Sequence, residues 1–224
     1  MSQHIIQIDI VSDVTCPWCY IGKRRLERAI RSFQLNHSEV QFSIEWHPYL
    51  LDPVTPPRES YKRMDRMRQK FGTQAEEAVS RVIQIAETEG LKMVWDYYTG
   101  STIDAHRLIN LAKQLDNGDK MRSLENAIVE ALFSAIHVQG RDITQYEILA
   151  DIAASVGIDK RMVLAYLQTP QGEMEVRQEA SRNFRRNING VPHFLVGKRY
   201  ALGGAQESEI FVEVFEMLLK LETP

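Results

Sequence analysis

The chain carries two cysteines, and they stand as Cys16-Pro17-Trp18-Cys19, with two residues between them. Sulfurs at this spacing can close into a disulfide or share a metal ion. The thiolate is the reactive form, and a cysteine at a helix N-terminus is made more acidic by unpaired backbone N–H groups and the helix dipole. Pro17 suits the first position of a helix, where its missing N–H costs nothing. Cys16 then takes the favourable place at the helix start. Cys19, a turn further in, is expected to lie deeper and to resolve the mixed disulfide that Cys16 forms with a substrate. Trp18 is bulky and brings no positive charge, as a histidine there would. Cys16 is therefore expected to be acidic, though less so than in the most oxidising dithiol proteins. A zinc site would need two further ligands. The six histidines (His4, His37, His47, His106, His137, His193) show no H-x3-H spacing and there is no second cysteine pair, so no metal is expected.

The elements that must hold this dithiol can be read on either side of it. Ile5 to Val11 is an apolar, β-like run, and Tyr20 to Phe33 has helical character, with Leu26, Ala29, Ile30 and Phe33 on one face. Lys23, Arg24, Arg25 and Arg28 are expected to face water. Val40 to Trp46 alternates as a second strand, and Pro48, Pro53, Pro56 and Pro57 mark a long connection. From about Tyr61 to Leu167 the periodicity is helical with no strand signal. Thr144 and Glu147 form a capping-box pattern, and Gly90, Gly140 and Gly157 stand at C-cap positions. The chain then returns to β, with His193 to Val196, a Gly197-Lys198 turn, Tyr200 to Leu202, and a final amphipathic helix from Ile210 to Leu219. The sequence predicts an α/β domain, residues 1–56 and 171–224, interrupted by an all-helical insertion, residues 57–170.

With 224 residues, 44% hydrophobic and 25% charged, the chain is long enough to bury a core. A net charge of −3 argues against nucleic acid as a partner. No apolar run is long enough to span a membrane. The start of the chain, beginning at Met1, lacks a basic n-region, and Asp9 and Asp13 interrupt its apolar stretch. A cytoplasmic location is expected. In that compartment a lone dithiol is more often catalytic or metal-binding than structural.

Asp13 through Glu27 (DVTCPWCYIGKRRLE), Ala105-His106-Arg107-Leu108, and Gly190-Val191-Pro192-His193-Phe194 with Gly204-Ala205-Gln206 resemble the DsbA-like thioredoxin family. That family includes FrnE-type oxidoreductases and 2-hydroxychromene-2-carboxylate isomerases. The resemblance covers nearly the whole chain in the right order. It implies a thioredoxin-like fold interrupted by a helical domain, and a cytoplasmic thiol–disulfide oxidoreductase or disulfide isomerase acting on protein or small-molecule thiols and disulfides. No bound cofactor is implied, with glutathione as a potential co-substrate. The isomerase branch has serine where Cys16 stands and uses glutathione, so a glutathione-dependent isomerase or transferase is the alternative. In such folds a cis-proline loop faces the dithiol and offers backbone groups to an extended substrate. This makes Val191, Pro192 and His193 the expected substrate-binding residues. The chain departs from the FrnE pattern at Ser101-Thr102 and at His193.

Three further features have competing readings. His106, on a helical face with Leu108, Ile109 and Ala112, reads better as a hydrogen-bonded core histidine than as a ligand contact. Asp13 reads better as a polar loop residue than as a proton acceptor. The basic stretch Arg58, Lys62, Arg63, Arg66, Arg68, Lys70, interleaved with Tyr61, Met64 and Met67, reads as a solvated helix face before it reads as a contact for an acidic partner.

Overall fold

The computed structural model describes residues 4–116 and 123–222. In chain order the elements are β1 (His4–Ser12), α1 (Pro17–Gln34), β2 (Val40–Pro48), β3 (Ser60–Lys62), α2 (Arg63–Phe71), α3 (Ala75–Thr88), β4 (Tyr98–Gly100), α4 (Ile103–Leu115), α5 (Leu124–His137), α6 (Tyr146–Ser155), α7 (Lys160–Leu167), α8 (Glu173–Arg185), β5 (His193–Val196), β6 (Tyr200–Gly203) and α9 (Ser208–Glu222).

Four strands form one sheet in the order β2-β1-β5-β6. β1 runs parallel to β2, with Ile6 opposite Phe42 and Ile10 opposite Trp46, and antiparallel to β5, with Ile10 opposite Phe194. The apolar side of β1 therefore continues across its neighbours, because residues in register project to the same face. On that face Phe33 of α1, Phe42 of β2 and Phe215 of α9 meet at ring distances of 4.8–6.0 Å, and Phe194 packs on Phe211 at 4.9 Å. Each such buried ring is worth roughly 1.5–3 kcal/mol. The other face carries Asp9 and His47 and meets α8, whose Glu179 bonds His47 Nδ1 at 2.7 Å. β5 and β6 join through Gly197 and Lys198, both left-handed at φ 60° and 56°, the pair a tight hairpin turn needs. Gly197 is doubly constrained, since a Cβ there would lie 2.7 Å from Leu218.

Among the described residues, the segment between β2 and α8 carries helices and one three-residue ladder, Ser60–Lys62 antiparallel to Tyr98–Gly100. This ladder departs from the strand-free reading of that segment. Three residues are too few to show alternation, so its pairing is set by long-range contact. The Thr144–Glu147 capping box does not form either. α6 is capped at Gln145 without a side-chain bond, because Asp142 Oδ1 instead accepts from Thr144 N at 3.0 Å and Oγ1 at 2.7 Å.

The basic face of α1 opens to water only in part: Arg28 is exposed, as expected, and Arg24 is half-buried. Lys23 and Arg25 are buried. Lys23 Nζ reaches Glu130 of α5 at 2.6 Å, Arg24 pairs with the same carboxylate, and Tyr20 Oη donates to it at 2.8 Å. Arg25 Nε meets Glu89 at 2.7 Å, and its Nη1 meets the Ala205 carbonyl at 2.7 Å. The helix is wedged between α5, the end of α3 and the approach to α9, so its charges serve as ties. The cause is tertiary and invisible to helical periodicity.

Glu125 ties α5 to the sheet as well, by accepting the Trp46 N–H at 3.0 Å. Burial pushes its carboxyl up from 4.5 to about 7. Because the folded value lies above the unfolded one, the folded state holds the extra proton between those values. The group's contribution then falls as pH rises through about 7, by about 3 kcal/mol in all. Glu125→Gln keeps the acceptor but cannot ionise. Urea unfolding of both proteins near pH 5 and pH 8 is expected to show the variant gaining on wild type by that order as pH rises. Parallel pH profiles would refute it.

Candidate active site

The dithiol stands where β1 ends and α1 begins. Asp13, fully buried, organises the crossing. Its Oδ1 accepts from Thr15 N and Thr15 Oγ1, both at 2.9 Å, and its Oδ2 accepts from Leu51 N at 2.8 Å and Thr102 Oγ1 at 3.3 Å. Asp13 is thus a loop organiser with its acceptor positions taken. Cys16 is the N-cap residue of α1, with Pro17 at the first helical position, and Cys19 N bonds Cys16 O at 3.0 Å. Both cysteines are free thiols, 6% exposed for Cys16 and 1% for Cys19.

The two sulfurs are driven in opposite directions. Cys16 is lowered from 9.0, chiefly by its hydrogen bond with the Cys19 side chain and, against the cost of burial, by the backbone N–H groups of Cys19 and Trp18. Cys19 is raised well above 9.0, first by burial and then by the neighbouring Cys16. The helix end therefore contributes to the acidity of Cys16, but the partner thiol contributes more.

Across from the dithiol the Val191–Pro192 peptide bond is cis, and Cys16 Sγ lies 3.6 Å from the Val191 carbonyl oxygen. Gly22 is what lets α1 approach this loop. A Cβ there would sit 3.1 Å from both Pro192 and Phe194. Nothing but its place in the motif distinguished Gly22 in the sequence. A half-open cavity of about 830 Å³ adjoins Cys16, walled by Thr15 to Trp18, Asn189 to Val191, Leu51 and Asp52, and by residues of α2 and α3 with Tyr61 and Trp95. Of the three expected substrate-binding residues, Val191 is in this wall. Pro192 lies behind it, buried, and His193 is half-buried in β5 opposite Val11 and Gly203, its pKa lowered by burial.

Sequence patterns did not single out three residues close to the dithiol. Tyr97 is buried near enough to Cys16 for the thiolate's charge to help raise its phenol, after burial itself. His137 bonds the Val14 carbonyl through Nε2 at 3.0 Å and contacts the rings of Tyr20, Phe133 and Tyr97. Burial lowers it to about 3, which keeps it neutral. Trp95 stands in the cleft wall. His106 is a core histidine whose Nε2 bonds the Tyr49 carbonyl at 3.2 Å. Among the described residues no group of three or more His, Cys, Asp or Glu is placed to hold a metal ion.

The DSBA-like thioredoxin domain matches residues 7–216. The chain belongs to the DSBA-like thioredoxin family. The chain is similar to YwbO of Bacillus subtilis (strain 168), an uncharacterised protein, at 23% identity over 211 residues, covering 92% of this chain and 94% of YwbO. Among solved structures, SCO1869 of Streptomyces coelicolor, described as a probable DsbA oxidoreductase, superposes with a TM-score of 0.84 at 29% identity, covering 98% and 92% of the two chains. The cytosolic disulfide reductase DsbM of Pseudomonas aeruginosa, solved with GSH, gives 0.60 at 17% identity, covering 96% and 99%, and so shares the fold. Among the described residues of this DSBA-like chain, no helix is long and apolar enough to cross a membrane.

Proposed function

We propose that this DSBA-like protein is a thiol–disulfide oxidoreductase in which Cys16 attacks and Cys19 resolves. The observation that carries this reading is a pair of thiols driven apart in acidity, the more acidic one at a helix start and in the wall of a cleft. The Cys16 thiolate would attack one sulfur of a substrate disulfide, and the bonding pair leaves on the other sulfur. Cys19, having lost its proton, would attack Cys16 and release the second substrate sulfur as a thiol. The protein then holds the disulfide and the substrate is reduced; the reverse sequence oxidises a substrate dithiol. The Val191 carbonyl beside Cys16 supports an extended thiol or disulfide substrate lying along that loop. A resolving thiol at Cys19 favours this reading over a glutathione-dependent isomerase, which has no need of one. A cytoplasmic setting belongs to the same proposal.

Iodoacetamide near neutral pH is expected to label Cys16 before Cys19, as read by peptide mass mapping. The singly labelled protein is expected to have lost disulfide exchange. Thiols inert in the native protein, or exchange that survives labelling, would overturn the reading.

A further inference from the structure

The basic stretch around α2 is a solvated face, with Arg66, Arg68 and Lys70 exposed and Arg63 half-buried, but one edge of it borders the cleft beside Cys16. Arg63, Arg66 and Lys70 recur at helical spacing, with Met67 between them, and all four line the cleft beside Cys16. Arg81 of α3 adds a fourth cation, against a single carboxylate, Asp52. Two of these cations are already engaged, Arg66 with Asp52 at 3.3 Å and Arg81 with Glu77 at 3.2 Å. Arg63 and Lys70 have no carboxylate within ion-pair distance among the described residues. Arg63 is nevertheless fixed: its guanidinium carbon lies 5.5 Å from the centroid of the Trp95 ring. Arg63 Nε and Trp95 Nε1 are both buried donors without an acceptor, and Trp95 is only 9% exposed. Buried donors of this kind are nearly always satisfied, so a pair of them in the wall of one cleft points to a missing acceptor.

We propose, building on the redox reading above, that the cleft selects small disulfides and thiols bearing a carboxylate, which Arg63 anchors with Lys70 and Trp95 beside it. A carboxylate is the chemistry a guanidinium recognises best, through parallel N–H···O bonds. Arg63 is held by its stack on Trp95, so little side-chain freedom is lost on binding. The volume of about 830 Å³ lies within the range of small-molecule sites. The anchored carboxylate would sit across the cleft from Cys16 and leave the disulfide free to meet the thiolate.

The test compares three disulfides that differ in end group: dithiodipropionate (two carboxylates), hydroxyethyl disulfide (neutral) and cystamine (two amines). Reduced protein is mixed with each, and loss of protein thiols gives the second-order rate constant without any recycling reductant. At low salt the diacid is expected to react about ten-fold faster than the diamine. The preference is expected to shrink at high salt and to vanish in Arg63→Met. Arg68→Met, on the same helix but outside the cleft wall, is expected to keep it. Should Arg63→Met fail to fold, Lys70→Met and the salt dependence of the wild-type ratio decide the matter. Equal rates for the three disulfides, or a faster diamine, overturn the carboxylate site and leave the redox reading standing. If none of the three oxidises the protein, the redox reading itself fails.

Discussion

A Cys19→Ser variant is expected to react once with a disulfide and then stop, holding its substrate as a mixed disulfide on Cys16. Multiple-turnover exchange should fall on the order of a hundredfold or more, as when any group acting in the chemistry is removed. Cys16→Ser should form no adduct at all. The two substitutions therefore assign the roles by mass: one stoichiometric adduct for the first variant and none for the second. An adduct on Cys19, or full turnover by either variant, would refute the assignment. The hydrogen bond between the thiols adds a sharper expectation. Cys16 owes its lowered pKa first to the Cys19 side chain, and a serine hydroxyl can still donate where an alanine methyl cannot. The rate of adduct formation should rise with pH and level off above the pKa of Cys16, since only the thiolate attacks. In Cys19→Ala that plateau should move towards the ordinary value of 9.0, with Cys19→Ser in between. Thiolate absorbance in the ultraviolet checks the same order independently. If the helix end were the main cause of the acidity, the alanine variant would keep the wild-type plateau.

The dithiol was legible from sequence because everything that defines it is local. An apolar strand, two cysteines at fixed spacing and a proline at the first helical position all lie within about fifteen residues, and the observed β1 and α1 follow that order. The Gly197-Lys198 turn was legible for the same reason. What surrounds the dithiol was not. Arg63 and Lys70 read as solvated helix positions, and Lys70 is exposed, but only tertiary packing sets their helix beside the cleft at Cys16. Lys23 and Arg25 read as solvent-facing because helical periodicity cannot see that Glu130 and Glu89 arrive from α5 and the end of α3. Asp13 offered two plausible roles in sequence. Only its four donors, two of them from Leu51 and Thr102 far along the sequence, identify it as the organiser of the loop.

Arg107 shows how a residue quoted for its motif can matter for a different reason, and removing it should produce the largest loss of stability. It is 1% exposed and lies on α4. Its Nε donates to the Gln171 carbonyl at 2.7 Å, its Nη1 to Asp104 at 2.6 Å and to the Leu167 carbonyl at 3.3 Å, and its Nη2 to the carbonyls of Tyr166 at 3.0 Å and Thr169 at 2.5 Å. Tyr166 and Leu167 end α7, where unpaired carbonyls and the negative end of the helix dipole call for a cation. One guanidinium thus closes α7 and fixes the turn that leads into α8, the helix after which the chain reaches the Val191 loop. Arg107→Met would take the guanidinium from the carbonyls of Leu167, Thr169 and Gln171, leave Tyr166 O to its bonds from Thr169, and strand Asp104, whose carboxyl burial already raises. Breaking a buried pair from one side costs about 3–5 kcal/mol. For a chain of this size that is a drop in Tm of roughly 10 °C. Arg107→Lys keeps the charge but loses the planar fork, so an intermediate loss is expected, with only part of the stability recovered. A methionine variant within about 1 kcal/mol of wild type in urea unfolding would show that the five bonds replace solvation without adding to it.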